Sequence, residues 1–340
     1  MSLAAFRQKY DDFYAPRFRV RVGDDEIRES DGVISDLSVD SILDGADRFT
    51  FVETGGFDRA ARRFTSVDWD RLRPETPIRI RLGYGNVQEP VFAGRIQSIR
   101  PEFPANGEPT VEVSGYGMLH DLTRGTNSRS WDESSDADIA REIASEYAFD
   151  RVVVDETGRP RPKVIQDDQS DYEFLRELAD RNGFELFADR ETLYFRAPKR
   201  EQSPELTLEY GDSLVSFSPE FNEADQVGTV EVRHWDPSAK REIVGSADRD
   251  GGTGTRVVRV PVASRDEAEA AAAAALERLS AELIEGSGDT VGLPELRAGT
   301  TVRLEGLGEM FTRTYYVIRS THRIGTSGYE TGFEVTERVL

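Results

Sequence analysis

The sequence predicts a mostly β fold with α+β insertions: two related β-barrel domains, an α+β insert, and a second, helical insertion. Three observations carry this prediction. Apolar and polar residues alternate with the two-residue period of half-buried strands over much of the first hundred positions and again near the C-terminus. Helical periodicity is confined to short stretches in between. Two distant segments match at one constant spacing: Leu72-Arg73, Thr76 and Ile78-Arg79-Ile80 recur as Leu296-Arg297, Thr300 and Val302-Arg303-Leu304, with Phe92 answering to Tyr316 and Arg95 to Arg319. A strand, a turn and an aromatic-led return strand are thus used twice.

Phe18, Val20 and Val22 share one face of the first strand, with Arg17, Arg19 and Arg21 on the other. Phe49 and Phe51, and then Ile78, Ile80 and Leu82, repeat the pattern. Gly83-Tyr84-Gly85-Asn86 is a turn signal. The returning strand, 91–99, carries Gly94 in its interior, which predicts a bend or bulge at a barrel corner. A helix is expected over 135–147, with Ile139, Ala140, Ile143, Ala144 and Tyr147 on its apolar face. A second begins at Ser170, where Ser170 and Glu173 have capping-box spacing, and stops at Asn182-Gly183. A hairpin follows, with strands 184–187 and 193–195. Strands resume at 206–210 and 230–232. A third helix starts at Ser264, capped towards Glu267, and runs through an alanine block to about Leu283, stopping near Gly286. The strands 300–304, 315–324 and 329–335 close the chain.

With 340 residues the chain can bury a core of full size. It has no cysteine, which excludes disulfides and thiolate metal sites and fits assembly in a reducing compartment. Neither a signal peptide nor a run of ~18 apolar residues is present, so no membrane insertion is expected. The formal charge is −21, which disfavours adhesion to nucleic acid. Its four lysines, Lys9, Lys163, Lys199 and Lys240, leave arginine as nearly the sole cation. Such a surface fits solubility at high salt, where screening relieves self-repulsion, and suggests a halophilic host.

No motif points to catalysis. His120, His234 and His322 are far apart and lack metal-ligand spacing. Ser114-Gly115 and Gly286-Ser287-Gly288 do not form a nucleophile elbow. The glycine-rich loop 251–254 lacks the lysine and hydroxyl of a phosphate-binding loop. Among 64 acidic residues, pairs such as Asp171 and Glu173 carry no information about hydrolysis. The expectation is a structural protein, with no enzyme activity, cofactor or metal. Its alternatives are a tail-borne cell-envelope hydrolase and a β-rich adhesin or binding module.

Several stretches together resemble the phage late control protein D family and the N-terminal part of the VgrG proteins of type VI secretion. They are Pro90 to Ile96, including Phe92, Gly94 and Ile96; Ser170-Asp171-Tyr172-Glu173-Phe174-Leu175-Arg176-Glu177-Leu178-Ala179, followed by Gly183; and Leu296 to Gly299 with Tyr316, Tyr329 and Phe333. The resemblance implies a baseplate hub of a contractile phage tail or injection system. In such a hub, three chains form a pseudo-six-fold ring that joins the tail tube to the central spike and conducts DNA or effector. It implies a first, tube-like barrel at 15–117, an α+β insert at 118–205, a second barrel at 206–248 plus 291–340, and a helical insertion at 249–290. The partners implied are two further copies, tube protein, spike protein and other baseplate proteins, with nucleic acid only as passing cargo. Because the chain stops at Leu340, the spike is expected to be a separate protein. Location is expected in the virion tail baseplate or injection particle, assembled in the host cytoplasm.

Overall fold

A computed structural model describes residues 3–54, 56–65, 67–199, 203–221, 227–236, 240–249, 254–280, 284–326 and 328–337. Thirteen strands form one long sheet. They are β1 (Pro16–Val22), β2 (Asp25–Arg28), β3 (Ile34–Ile42), β4 (Arg48–Glu53), β5 (Pro77–Tyr84), β6 (Val87–Glu102), β7 (Thr110–Gly117), β8 (Leu206–Glu209), β9 (Leu214–Phe221), β10 (Ile284–Val291), β11 (Thr301–Glu305), β12 (Arg313–Gly325) and β13 (Gly328–Glu337). Strand alternation places Phe18, Val20, Val22, Phe49, Phe51, Ile78, Ile80 and Leu82 in the core.

The sheet order is β9-β10-β13-β12-β3-β4-β7-β6-β5-β1-β2, with β11 pairing β12 and β8 pairing β11. Six strands of the first half therefore recur, in chain order and in space, in the second: β1, β3, β4, β5, β6 and β7 answer to β8, β9, β10, β11, β12 and β13. Two bulges repeat as well. One falls at Gln97 in β6 and at Ile318 in β12; the other falls at Ser35 in β3 and at Val215 in β9. One edge strand is reversed, since β1 runs antiparallel to β5 and β8 parallel to β11.

The structure refines two expectations. The ladders of the two halves are joined where β3 pairs β12, so one strand path runs through both among the described residues, and the apolar residues of both merge into a single core. The repeat also slips in its return strand. Phe92 stands opposite Ile80, whereas Tyr316 stands opposite Thr301, the counterpart of Pro77. Ladder and bulge together make Arg95, and not Phe92, the counterpart of Tyr316.

Gly94 is required by close approach. A Cβ there would lie 2.1 Å from the carbonyl oxygen of Tyr116 and 2.8 Å from the Phe92 ring. Only glycine lets β6 and β7 cross so tightly.

Two further cores sit outside the sheet. The first belongs to α2 (Asp136–Ala144) and α3 (Asp171–Asn182), with a two-stranded sheet of Asn127–Ser134 and Arg161–Gln169 and a three-stranded sheet of Arg151–Val154, Thr192–Arg196 and Glu185–Asp189. The second is built by α4 (Arg265–Ser280) on the strands Arg241–Asp248, Thr229–Asp236 and Thr255–Val258. The strands 229–236 and 241–248, expected in the second barrel, thus pair with each other and pack under the alanine face of α4: Ala268 and Ala272 are fully buried there. Conversely 284–290, expected within the helical insertion, belongs to β10 of the long sheet. The described part of α4 ends at Ser280; Leu283 and the loop residues 250–253 lie outside the described residues. A short helix, α1 (Leu3–Lys9), precedes β1.

Candidate functional site: the polar face of the sheet

One face of β9, β10, β13, β12 and β3 covers the core; the other is built from small hydroxyls and paired charges. Register sets them in rows. Ser218, Ser287, Glu334 and Arg319 stand side by side on successive strands, as do Ser216, Asp289, Gly332, Thr321 and Asp40. Ser216 Oγ donates to Asp289 Oδ2 at 2.8 Å and Thr321 Oγ1 to Asp40 Oδ1 at 2.7 Å. Arg319 lies 3.5 Å from Asp40 and 3.8 Å from Glu334. A shallow depression on this face is lined by Ser216, Ser287, Asp289, Thr321 and Arg323. A surface of this kind holds water and offers neither an apolar patch nor a field of one sign to anything passing over it. Among the described residues, no three His, Asp or Glu side chains are grouped to hold a metal ion, and no helix is long and apolar enough to cross a membrane.

The residues singled out from the sequence fall into three places. Phe92 and Ile96 are buried in the sheet core, where Phe92 meets Phe49 edge-on at 5.1 Å, and Gly94 makes the crossing described above. Ser170, Asp171, Phe174, Leu175, Leu178 and Gly183 build α3. Ser170 Oγ accepts from the Glu173 amide (3.2 Å), and Glu173 Oε2 accepts from the Ser170 amide (2.9 Å), which closes the capping box. Phe174 stacks on Trp131, and Gly183 takes the left-handed cap at φ 66°. Asp171 is 1 % exposed and accepts hydrogen bonds from Gln166, Tyr147, Asn127 and Arg129. Burial pushes its carboxyl up, but these four donors outweigh burial and hold it below the usual aspartate value.

Gly299 and Tyr316 fasten the insert to the second half. Arg196 donates to Gly299 O at 3.1 Å, and Tyr316 donates to Glu185 at 2.7 Å. Gly299 has φ +79°, and a Cβ there would lie 2.8 Å from the Phe187 ring. Tyr329 joins a buried network at the seam between the halves. Its hydroxyl lies 2.9 Å from His322 Nδ1, which is also 3.1 Å from Thr331 Oγ1. Burial, aided by the nearby Arg297 charge, lowers the His322 pKa to about 3.

Sequence reasoning missed how α1 closes this seam. Tyr10, at the end of α1, donates to Glu295 (2.7 Å) and packs against Tyr84, which packs in turn against Tyr329. Lys9 pairs with Glu295 of the second half and Glu89 of the first, both at 2.7 Å. Phe6 and Tyr10, at apolar spacing four apart, were the available signal.

Compared with known proteins, residues 18–255 match the model of the Alg8 N-terminal domain. The chain belongs to that family. No curated protein matches it in sequence. Among solved structures, the 43 kDa tail protein of prophage MuSo2 from Shewanella oneidensis superposes with TM-score 0.77 at 13% identity, over 95% of this chain and 99% of that one. A tail protein of Neisseria meningitidis MC58 gives 0.75 at 16%, over 95% and 97%. The Escherichia coli c3393 protein, a type VI secretion component described as structurally similar to bacteriophage T4 tail proteins, gives 0.59 at 13%, over 96% and 77%. The Alg8 N-terminal family member described here therefore has the fold of tail proteins, in line with the resemblance drawn from its motifs.

Proposed function

We propose that this chain is a structural hub of a contractile tail or injection particle. Three copies form a ring of six similar half-sheets between a tube protein and a spike, with other baseplate proteins around it. The observation that carries the reading is the recurrence of six strands in the same order, bulges included, within a tail-protein fold. A chain with two equivalent halves can seat three-fold against a six-fold tube. The hydroxyl-rich, charge-paired sheet face suits the wall of a conduit, because cargo finds nothing on it to adhere to. DNA or protein effector is then cargo rather than ligand, and the hub itself does no chemistry. The first half, 15–117, acts as the tube-like unit, and the helical elements decorate the ring. The acidic, arginine-biased surface supports assembly in a salt-rich host cytoplasm.

The test is native mass in molar KCl, with negative-stain images of the same fraction, alone and with the candidate tube and spike proteins. A species of three chain masses, seen as a ring with a central hole, is expected. A monomer that persists with both partners present overturns the reading.

A further inference from the structure

The internal repeat specifies which edges would join one copy to the next. Within the chain, the halves meet where β3 of the first pairs antiparallel with β12 of the second: Leu37 opposite Ile324, Val39 opposite His322, Asp40 opposite Thr321 and Ser41 opposite Ser320. By ladder and bulge, β3 is equivalent to β9 and β12 to β6. The same joint made a second time needs β9 of one copy and β6 of another.

Both strands have the edge this requires. β9 ends the sheet and pairs only with β10 among the described residues. β6 pairs with β5 as far as Arg95, and Ile96 bonds Thr76 and Glu75; beyond that, no strand among the described residues pairs its β5-side edge, although β7 continues along the other to Glu102. In β12 the equivalent stretch is the one that β3 covers. Burial follows the difference. Ser320, His322 and Ile324 are buried under β3, while their counterparts Ile99, Pro101 and Phe103 are half-buried, exposed and 63 % exposed. Val215 of β9 is 63 % exposed as well. An open strand edge with apolar side chains beside it is a site for strand addition.

We infer that β9 of one copy adds antiparallel to residues 98–103 of the next, repeating the β3–β12 seam between molecules. This rests on the ring reading above and names the surface that makes the ring. Transferring the internal register sets Glu220 opposite Arg100, an acid against a base, and Phe217 opposite Phe103, ring against ring. Both pairs are complementary although neither was used to derive the register. Cross-strand pairs of these kinds stabilise adjacent strands. Pro219 falls opposite Pro101. Proline is tolerated in a strand where its missing amide faces an open side, so the joint between copies has fewer ladder bonds than the internal seam. It is the weaker contact and closes under the added hold of tube and spike. Because the joint is head-to-tail, it closes into a ring only if the rotation allows; two halves per chain make three copies the closing number.

The chain has no cysteine, so a disulfide can report the joint without background. The double variant Arg100→Cys/Glu220→Cys, oxidised in molar KCl with tube and spike proteins, is expected to give a covalent species of three chain masses on a non-reducing gel; either single variant alone gives none. If native mass finds the trimer but the double variant stays uncrosslinked, the joint is overturned and the ring survives. If native mass finds only monomer and no crosslink forms, both fall. Glu220→Arg is expected to abolish the trimer, and adding Arg100→Glu to restore it; failure of that rescue in a folded double variant also overturns the joint. Both side chains are exposed, so neither exchange disturbs the core.

Discussion

The strand β12 and its counterpart β6 carry the same bulge and the same neighbour on one side, yet one is buried and the other open. At Ile324 the side chain is 6 % exposed, while at the equivalent Phe103 it is 63 % exposed. The backbone plan does not differ; the presence of a partner does. The chain thus carries one satisfied seam and, among the described residues, one open copy of it; in the reading proposed above, stability rests on the first and assembly on the second.

The largest effect expected from this contrast is on the stability of the isolated chain. Ile324→Ala empties a packed site at the seam and should cost about 3 kcal/mol. Phe103→Ala, at the equivalent open position, loses only its ring contacts with Phe57 and Phe64 and should cost about 1 kcal/mol or less. Urea unfolding of the two variants checks this, and equal losses would remove the distinction between seam and edge.

The seam should also be sensitive to acid. Unfolded, the His322 imidazole takes up a proton below pH 6.5; folded, it does so only near pH 3. Between these values the unfolded chain binds the extra proton, so stability falls as pH falls, by about 1.4 kcal/mol per pH unit from this one group. Asp47, whose folded pKa is raised well above the usual value, first by burial, works in the opposite sense. The variant His322→Gln isolates the histidine: relative to it, the parent chain should lose stability between pH 6 and pH 4 in denaturant titrations. Parallel curves would mean that the ring is protonated inside the fold.

Outside the sheet, the insert depends on local capping. Ser170→Ala removes the acceptor for the Glu173 amide and should cost about 1 kcal/mol, while Ser170→Asp should recover most of it. A thermal melt of the three proteins decides.

Much of this was legible in the residues. The capping spacings at Ser170 and Ser264 gave two helix starts, because a hydroxyl three residues before an acid satisfies amides that nothing else can reach; Ser264 Oγ accepts from the Glu267 amide at 3.2 Å. Gly94 was readable as an irregular position, expected as a bend or bulge; the bulges of β6 fall at Val91 and Gln97, and Gly94 itself marks the close crossing with β7. β10 was not readable. Its Gly286 looked like a helix stop, but Gly286 and Gly288 are strand positions whose missing side chains make room for the rings of Phe217 and Phe333, which a Cβ would approach to 2.6 and 2.7 Å. The partner of a glycine in a sheet is distant in sequence, so the local signal misleads. The slip at Phe92 and Tyr316 has the same origin, since both are aromatic residues leading a return strand, and only the ladder tells which residue each one faces.

The smallest effect concerns the clip that α1 places across the seam. Lys9 reaches Glu295 and Glu89 from opposite halves while its side chain stays 30% exposed. Burial alone would lower its pKa, but the two carboxylates outweigh burial and raise it. A partly exposed pair contributes only about 0.5 kcal/mol, and salt screens it. Phe6 and Tyr10 are buried, and their contribution does not depend on salt. The chain as a whole should behave oppositely to the clip, since screening relieves the repulsion of a −21 surface. Melting curves of the parent and Lys9→Ala should therefore both rise between low and molar KCl, and the small gap between them should close. A gap that persists in molar KCl would assign the clip to packing of the lysine stem, and a parent chain that gains no stability from KCl would remove the case for a high-salt host.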